Sequence, residues 1–329
     1  MNFRTEIPTL KSNFSISHKD IILSIGSCFA NEIGTLLKND KFNIYVNPTG
    51  VTYNPFSISQ TLSLLSDEIV VHDCDLFFHH NLWHDFRFHG SFSRPTKQET
   101  VSATNAALRS TPSSPTLLIV TLGTAFVYFH GESVVNNCHK LPAASFTRRL
   151  LSVNECADSL KQALLRFIEH FPTLSKIIIT VSPIRHLADG AHQNTLSKST
   201  LHLAAQQVCD AFASVPSVAI NYFPAYEILL DELRDYRFYA DDMTHPSPLA
   251  FNYIYQRFSD AFFSKETSAL ISQCEKLRKA CQHRPLSSAL SDERRQFLLT
   301  TIASMQSLQR SHNLNFSSEI SQLQSQLTD

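Results

Sequence analysis

Five short runs of the chain are almost wholly apolar: "IILSI" (21–25), "FNIYV" (42–46), "TLLIVTL" (116–122), "KIIITV" (176–181) and "SVAINY" (217–222). They are rich in β-branched residues and show no polar alternation, the pattern of strands buried on both faces of a parallel sheet. Between them apolar residues return at helical spacing. They do so at Ile33, Leu36 and Leu37 within 30–39, at Ala157, Leu160, Leu164, Phe167 and Ile168 within 154–171, and at Leu201, Ala204, Ala205, Val208 and Phe212 within 199–215. Strand and helix in alternation predict a doubly wound α/β fold, a five-stranded parallel sheet with helices on both faces. Ligands of such sheets bind at the carboxyl ends of the strands.

Two stretches break the alternation. Residues 67–98 mix short β-like runs with His and Asp, and 126–146 read as a hairpin with "HGES" at the turn. Both are expected as insertions near the rim of the sheet. From residue 266 onward the pattern changes to narrow helical stripes at 269–281, 291–309 and 317–327, with Pro285 and Asn313 in the breaks. The expected organisation is therefore a main domain over 1–265 and a helical extension over 266–329. The extension is expected to pack on the body or on a second copy, as a homodimer contact.

Composition narrows the functional classes. With 28 basic and 29 acidic side chains the net charge is −1, which gives no electrostatic case for binding nucleic acid or an anionic membrane. No run of about 18 apolar residues is present, so no spanning helix is expected. The amino-terminal residues carry no apolar core of signal-peptide length. The seven cysteines are odd in number and contain no C-x-x-C pair. A reducing, cytoplasmic setting fits that usage better than a disulfide framework. No cofactor fingerprint is present. His72, His79, His80, His84 and His89 crowd the first insertion with Asp73, Asp75 and Asp85, but in no defined metal-ligand spacing, so no metal is expected.

Chemistry is concentrated at two places. The first apolar run ends in "GSCFA" (26–30), where a hydroxyl and then a thiol stand between a strand and a helix. Far downstream, "DDMTHPS" (241–247) holds Asp242 and His245 at D-x-x-H spacing, which can set a carboxylate beside the Nδ1 of its own histidine. A serine nucleophile needs a base, and the base an orienting partner. Ser27 early and Asp242–His245 late, all at strand ends, make a coherent triad. Each feature also has a plain structural reading: Ser27 as a helix cap, the D-x-x-H as a surface loop. An oxyanion needs fixed donors. The Cys28 amide at the helix start is one candidate, and Gly50, where a glycine lets backbone approach a ligand, is a second. Cys28 is itself a weaker candidate nucleophile, its side chain expected to point away if Ser27 faces the histidine. The loop "SPIRHLADGAHQN" (182–194) offers Arg185 and His186 to a polar substrate, or simply hydrogen-bonds itself.

These motifs resemble those of the GSCFA family, a bacterial branch of the SGNH (GDSL-like) hydrolases. Besides "GSCFA", the stretches "NPTGVTYNPFSI" (47–58), "FHGSFS" (88–93), "TLGTAFVY" (121–128), "NCHKLP" (137–142), "TVSPIRHLADGAHQNTLSKSTL" (180–201) and "DDMTHPS" carry the resemblance, across residues 20–265. It implies a flavodoxin-like three-layer α/β/α sandwich, with Ser27 as nucleophile, His245 as base and Asp242 as its partner. Two departures from the wider superfamily stand out. The usual G-D-S is Gly26-Ser27-Cys28, and the G-x-N-D block is Gly123-Thr124-Ala125-Phe126. Alanine thus replaces the asparagine that donates to the oxyanion, a loss worth on the order of 10²–10³ in rate. Asn54 is the first candidate substitute, with a buried turn asparagine bonded to its own backbone as the alternative, and Asn137 and His139 follow. The expected activity is hydrolysis of a short-chain acyl ester of a carbohydrate or other polar small molecule through an acyl-enzyme. An acyltransferase with the same triad, favoured by a dry cleft under the 67–98 insertion, and a binding module that has lost efficient chemistry are the alternatives.

Overall fold

The computed structural model describes residues 4–282 and 291–328. In chain order the elements are β1 Ile21–Gly26, α1 Cys28–Asn39, β2 Asn43–Val46, α2 Pro55–Ser66, β3 Phe77–His79, β4 Leu82–His84, α3 Lys97–Arg109, β5 Leu117–Leu122, β6 Phe126–His130, β7 Ser133–Val135, β8 Thr147–Leu150, α4 Val153–His170, β9 Lys176–Val181, α5 Ala191–Phe212, β10 Ala219–Phe223, the single turn α6 Ala225–Glu227, α7 Pro248–Phe262, α8 Lys265–Gln282, α9 Asp292–His312 and α10 Ser317–Thr328.

All five predicted strands form one parallel sheet in the order β10-β9-β5-β1-β2. Alternate residues of each strand serve opposite faces. Leu23 and Ile25 of β1 join Leu118, Val120, Ile177 and Ile179 under α2, α4 and α5. Ile22, Leu117, Ile119 and Ile178 face the other way, against Phe29, Ile33 and Leu37 of α1 and Ile254, Phe258 and Phe262 of α7. Each such side chain, fully removed from water, contributes about 1.5–3 kcal/mol. The chain winds outward in both directions from the gap between β1 and β5, so the crevice at their carboxyl ends is the switch point where such sheets take ligands.

The loops depart from the sequence expectations in specific ways. The second insertion is a three-stranded sheet, β7-β6-β8, because Thr147–Leu150 pairs with β6 beyond the 126–146 hairpin. In the first insertion β3 and β4 form a hairpin whose turn residues His80 and Asn81 have φ of 46° and 61°. Helix α5 starts at Ala191, eight residues before the expected 199, since its first two turns carry polar residues that hide the stripe. Helices α2, α3 and α7 were also hidden, the first beginning on the Asn54 cap and Pro55.

Among the tail helices α8, α9 and α10, Leu270, Leu298, Met305, Phe316 and Leu323 form a separate small core. The tail meets the body where Thr267 Oγ1 donates to Ile16 O, at 3.0 Å, and where Lys41 pairs with Glu319. Asn313 ends α9 in the left-handed region, φ 55°, whereas the expected break at Pro285 lies outside the described residues. No helix among the described residues is long and apolar enough to cross a membrane.

Gly26 makes the strand-to-helix turn possible. Its φ is +148°, and a Cβ there would sit 2.2 Å from Thr121 O of β5. Gly26→Ala is therefore expected to cost about 3 kcal/mol, through strain and separation of β1 from β5. Urea unfolding of the variant measures this; a loss under about 0.5 kcal/mol, the range of ordinary surface changes, would contradict the turn described.

Candidate active site

Ser27 leaves β1 in extended conformation and caps α1 by position, yet its side chain makes no capping bond. Its Oγ is buried and has no hydrogen-bond partner. A hydroxyl kept from both water and partners costs free energy. Its surroundings are closely fitted. Gly26 N donates to Asn47 Oδ1 at 2.8 Å, and Asn47 Nδ2 donates to Asn31 Oδ1 at 2.7 Å. Thr52 N donates to Gly26 O, and Tyr53 O accepts from both Gly123 N and Thr124 N. The 47–54 segment thus folds back over the switch point. Gly123 permits this, since a Cβ there would lie 3.0 Å from Tyr53 O and 3.2 Å from Ser27 Cβ.

The D-x-x-H loop reaches the same place. A bridge between Tyr239 and Pro246 closes it, and Arg185 N holds it by donating to Thr244 O. Asp242 Oδ1 accepts from the amides of Thr244 and His245, both at 2.9 Å. His245 Nδ1 donates to Asp242 Oδ2 at 2.6 Å. These bonds, the His245 amide first, hold the Asp242 carboxyl far below the usual carboxylate range. With Nδ1–H committed to the carboxylate, Nε2 is the basic nitrogen. Ser27, Cys28 and His245 line one cavity of about 570 Å³ with Tyr53, Asn54, Thr124, Phe126, Tyr128, Arg148, Arg185 and His186. Ser27 Oγ and His245 are not hydrogen-bonded to each other. A larger groove of about 1020 Å³, between α1 and the tail helices, holds none of these residues.

The other candidates divide. Asn54 is in the cavity wall, but its Oδ1 caps α2 through Ser57 N and its Nδ2 donates to Ser57 Oγ. Gly50 is outside the wall: its amide donates to Asn47 O, and its α-carbon packs against His89. Asn137 and His139 also stand away from it. Asn137 Oδ1 accepts from His139 N, and the His139 ring is buried with Nε2 on Asp85 O at 2.9 Å. Both are turned into the insertion because that loop satisfies its own polar groups there. Arg185 and His186 are in the wall. Arg185 also serves the base loop, through Nη1 to Met243 O and its guanidinium over the Tyr239 ring. The Cys28 thiol does not point away as expected. It shares the wall, with Sγ 3.5 Å from the Tyr53 hydroxyl. Ala125 is wholly buried in the core and its amide donates to Ser197 Oγ.

In the first insertion His84 is bonded to Ser93 Oγ and His79 O, and Asp85 pairs with Arg87. No group of three or more His, Cys, Asp or Glu among the described residues is arranged to hold a metal.

Sequence reasoning assigned no role to several wall residues. Arg148 of β8 lies 4.1 Å over the Phe126 ring and pairs at 2.6 Å with Asp189, joining the second insertion to the loop after β9. Lys198 of α5 is buried beneath the site. Its Nζ donates to Gly123 O and Ser182 O, both at 2.7 Å, tying the ends of β5 and β9 together. Burial pushes its pKa down to about 7. The clue in the sequence was its place on the buried stripe of α5, three residues before Leu201.

A scan of family models matches the GSCFA family over residues 21–258 and the C-terminal domain of GSCFA proteins over 274–329. The chain belongs to the GSCFA family. The first match spans every element of the site, from Ser27 to His245. A search of curated proteins finds no match.

Burial lowers the pKa of His139, His186 and His202 from 6.5 to about 4, and for the last two the Lys198 charge adds to it. Between those values the unfolded chain binds protons that the folded one refuses, so the contribution of these histidines to stability is full above pH 6.5 and is lost as the pH drops toward 4. Thermal unfolding should therefore occur at a lower temperature at pH 5 than at pH 7.5, and replacing these three histidines by Gln should shrink the difference. An unchanged pH response in the triple variant would contradict it.

Proposed function

We propose that this GSCFA protein is a serine ester hydrolase of the SGNH (GDSL-like) kind, built on a flavodoxin-like sandwich. The observation that carries the reading is the shared cavity: an unpartnered, buried Ser27 hydroxyl and a carboxylate-oriented His245 imidazole at one switch point. In the proposed reaction Ser27 Oγ attacks the ester carbonyl carbon and its proton passes to His245 Nε2. The Cys28 amide, the first of α1, faces the developing oxyanion with the positive end of the helix dipole behind it. Collapse breaks the bond to the alcohol oxygen, which leaves with the proton from His245. Water then repeats the sequence on the acyl-enzyme, releasing the acid and free serine.

A short-chain acyl ester of a carbohydrate or similar polar molecule is the proposed substrate. Hydrolysis is favoured over acyl transfer by exposure. The His245 side chain is 45% exposed, and the wall of the cavity comes from 124–148 and 182–189, not from the 67–98 insertion that would have made a dry cleft. Water has access to the acyl-enzyme from the side of the base.

A fluorophosphonate probe should label the purified protein, and p-nitrophenyl acetate should turn over. Ser27→Ala should abolish both, His245→Ala should reduce both by at least 10³ or so, and Cys28→Ala should retain them. Folded wild-type protein that neither labels nor turns over any ester would leave a binding module as the better reading.

A further inference from the structure

The Ala125 replacement leaves the site with one evident oxyanion donor, and the neighbouring amides are already engaged. Ser27 N donates to Thr121 O, and Gly123 N and Thr124 N both donate to Tyr53 O. Ala125 N is taken by Ser197 Oγ, and the Thr124 hydroxyl also pairs with Ser197 Oγ at 3.0 Å. The Asn54 amide caps α2, and Asn136 Nδ2 donates to Val51 O. The glycine and asparagine positions of the G-x-N-D block therefore have no donor to give. Three side chains in the wall remain: Tyr53, whose hydroxyl meets only the Cys28 thiol, His186, and Tyr128, which is 39% exposed on β6 of the second insertion.

Resting on the serine-hydrolase reading, we propose that the Tyr53 hydroxyl is the second oxyanion donor of this site and a catalytic residue. Its position favours it over His186. The Tyr53 oxygen lies 3.5 Å from the Sγ of Cys28, the residue whose amide is the first donor. His186 belongs to the loop after β9, one strand further from Ser27 across the sheet. A thiol is a weak hydrogen-bond partner, so at 3.5 Å the phenol gives up little by turning to an oxyanion. The residue is firmly placed, because its own carbonyl accepts two amides from the end of β5 while its ring meets His186 edge-on. Burial raises its pKa, which keeps it a donor throughout the working range of a histidine base. The 47–54 segment thus brings a donor of its own to the crevice.

Tyr53→Phe removes one oxygen and tests the assignment. For p-nitrophenyl acetate kcat should fall by about 10²–10³ with KM little changed, and fluorophosphonate labelling should slow in parallel, since the probe also builds negative charge on an oxygen at that position. Cys28→Ala, which keeps the donating amide, should cost far less than Tyr53→Phe, and an equal loss in the two variants would place the effect in the thiol and overturn the proposal. His186→Ala should cost less than about tenfold. Wild-type rates in Tyr53→Phe, or the large kcat loss appearing in His186→Ala instead, would overturn the proposal while leaving the serine mechanism standing. Wild-type protein without labelling or turnover would overturn both. Should Tyr53→Phe fail to fold, replacing the tyrosines by 3-fluorotyrosine in Tyr128→Phe protein supplies a second readout. The more acidic phenol should move the alkaline limb of kcat to lower pH, and an unmoved limb would count against Tyr53.

Discussion

The site depends on how closely the end of β1 approaches the end of β5. Only a residue without a side chain fits between Gly26 and Thr121 O, and only a second one lets the Tyr53 backbone reach the end of β5 at Gly123. With both glycines in place, the amide of Gly26 is free to bond Asn47 and the 47–54 segment closes over the crevice. The buried hydroxyl, the first amide of α1 and the phenol of Tyr53 all follow from that approach. A Cβ at Gly26 would drive β1 and β5 apart, and one at Gly123 would press on Tyr53 O and Ser27 Cβ.

What the sequence revealed followed the strength of its periodic signals. The five sheet strands are apolar runs rich in β-branched residues, and each was legible to within two residues, most plainly the central β1, β5 and β9, where burial on both faces leaves almost no polar position. Helix α1 was legible from Ile33 and Leu37. The onset of α5 was not, because its early buried positions are Asn194, Ser197 and Lys198, polar residues satisfied inside the protein. Those same residues support the site, so the break in the pattern and the function share a cause.

The site itself was half legible. Asp242 and His245 are three residues apart, and their bond is local, so spacing alone suggested it. Ser27 could be read from the strand that ends on it. The oxyanion side could not, because its donors depend on which amides are already spent, and that is settled by contacts between segments far apart in sequence. Gly50 illustrates the difficulty: its glycine serves a turn against His89 rather than a ligand. Lys198 is a second case, where an isolated cation on an apolar stripe makes sense only once Gly123 O and Ser182 O stand above it.

The proposed nucleophile and its base belong to parts of the molecule with different resistance to opening. Ser27 is 1% exposed and locked to the central strands, whereas the Asp242 and His245 side chains are about half exposed on a loop closed by a few backbone bonds. Segments of that kind open locally, at far smaller free energies than the core they rest on. On the proposed mechanism, the temperature at which activity is lost is therefore set by the opening of the 239–247 loop and not by the melting of the sheet, and on cooling the site re-forms without the chain having to refold.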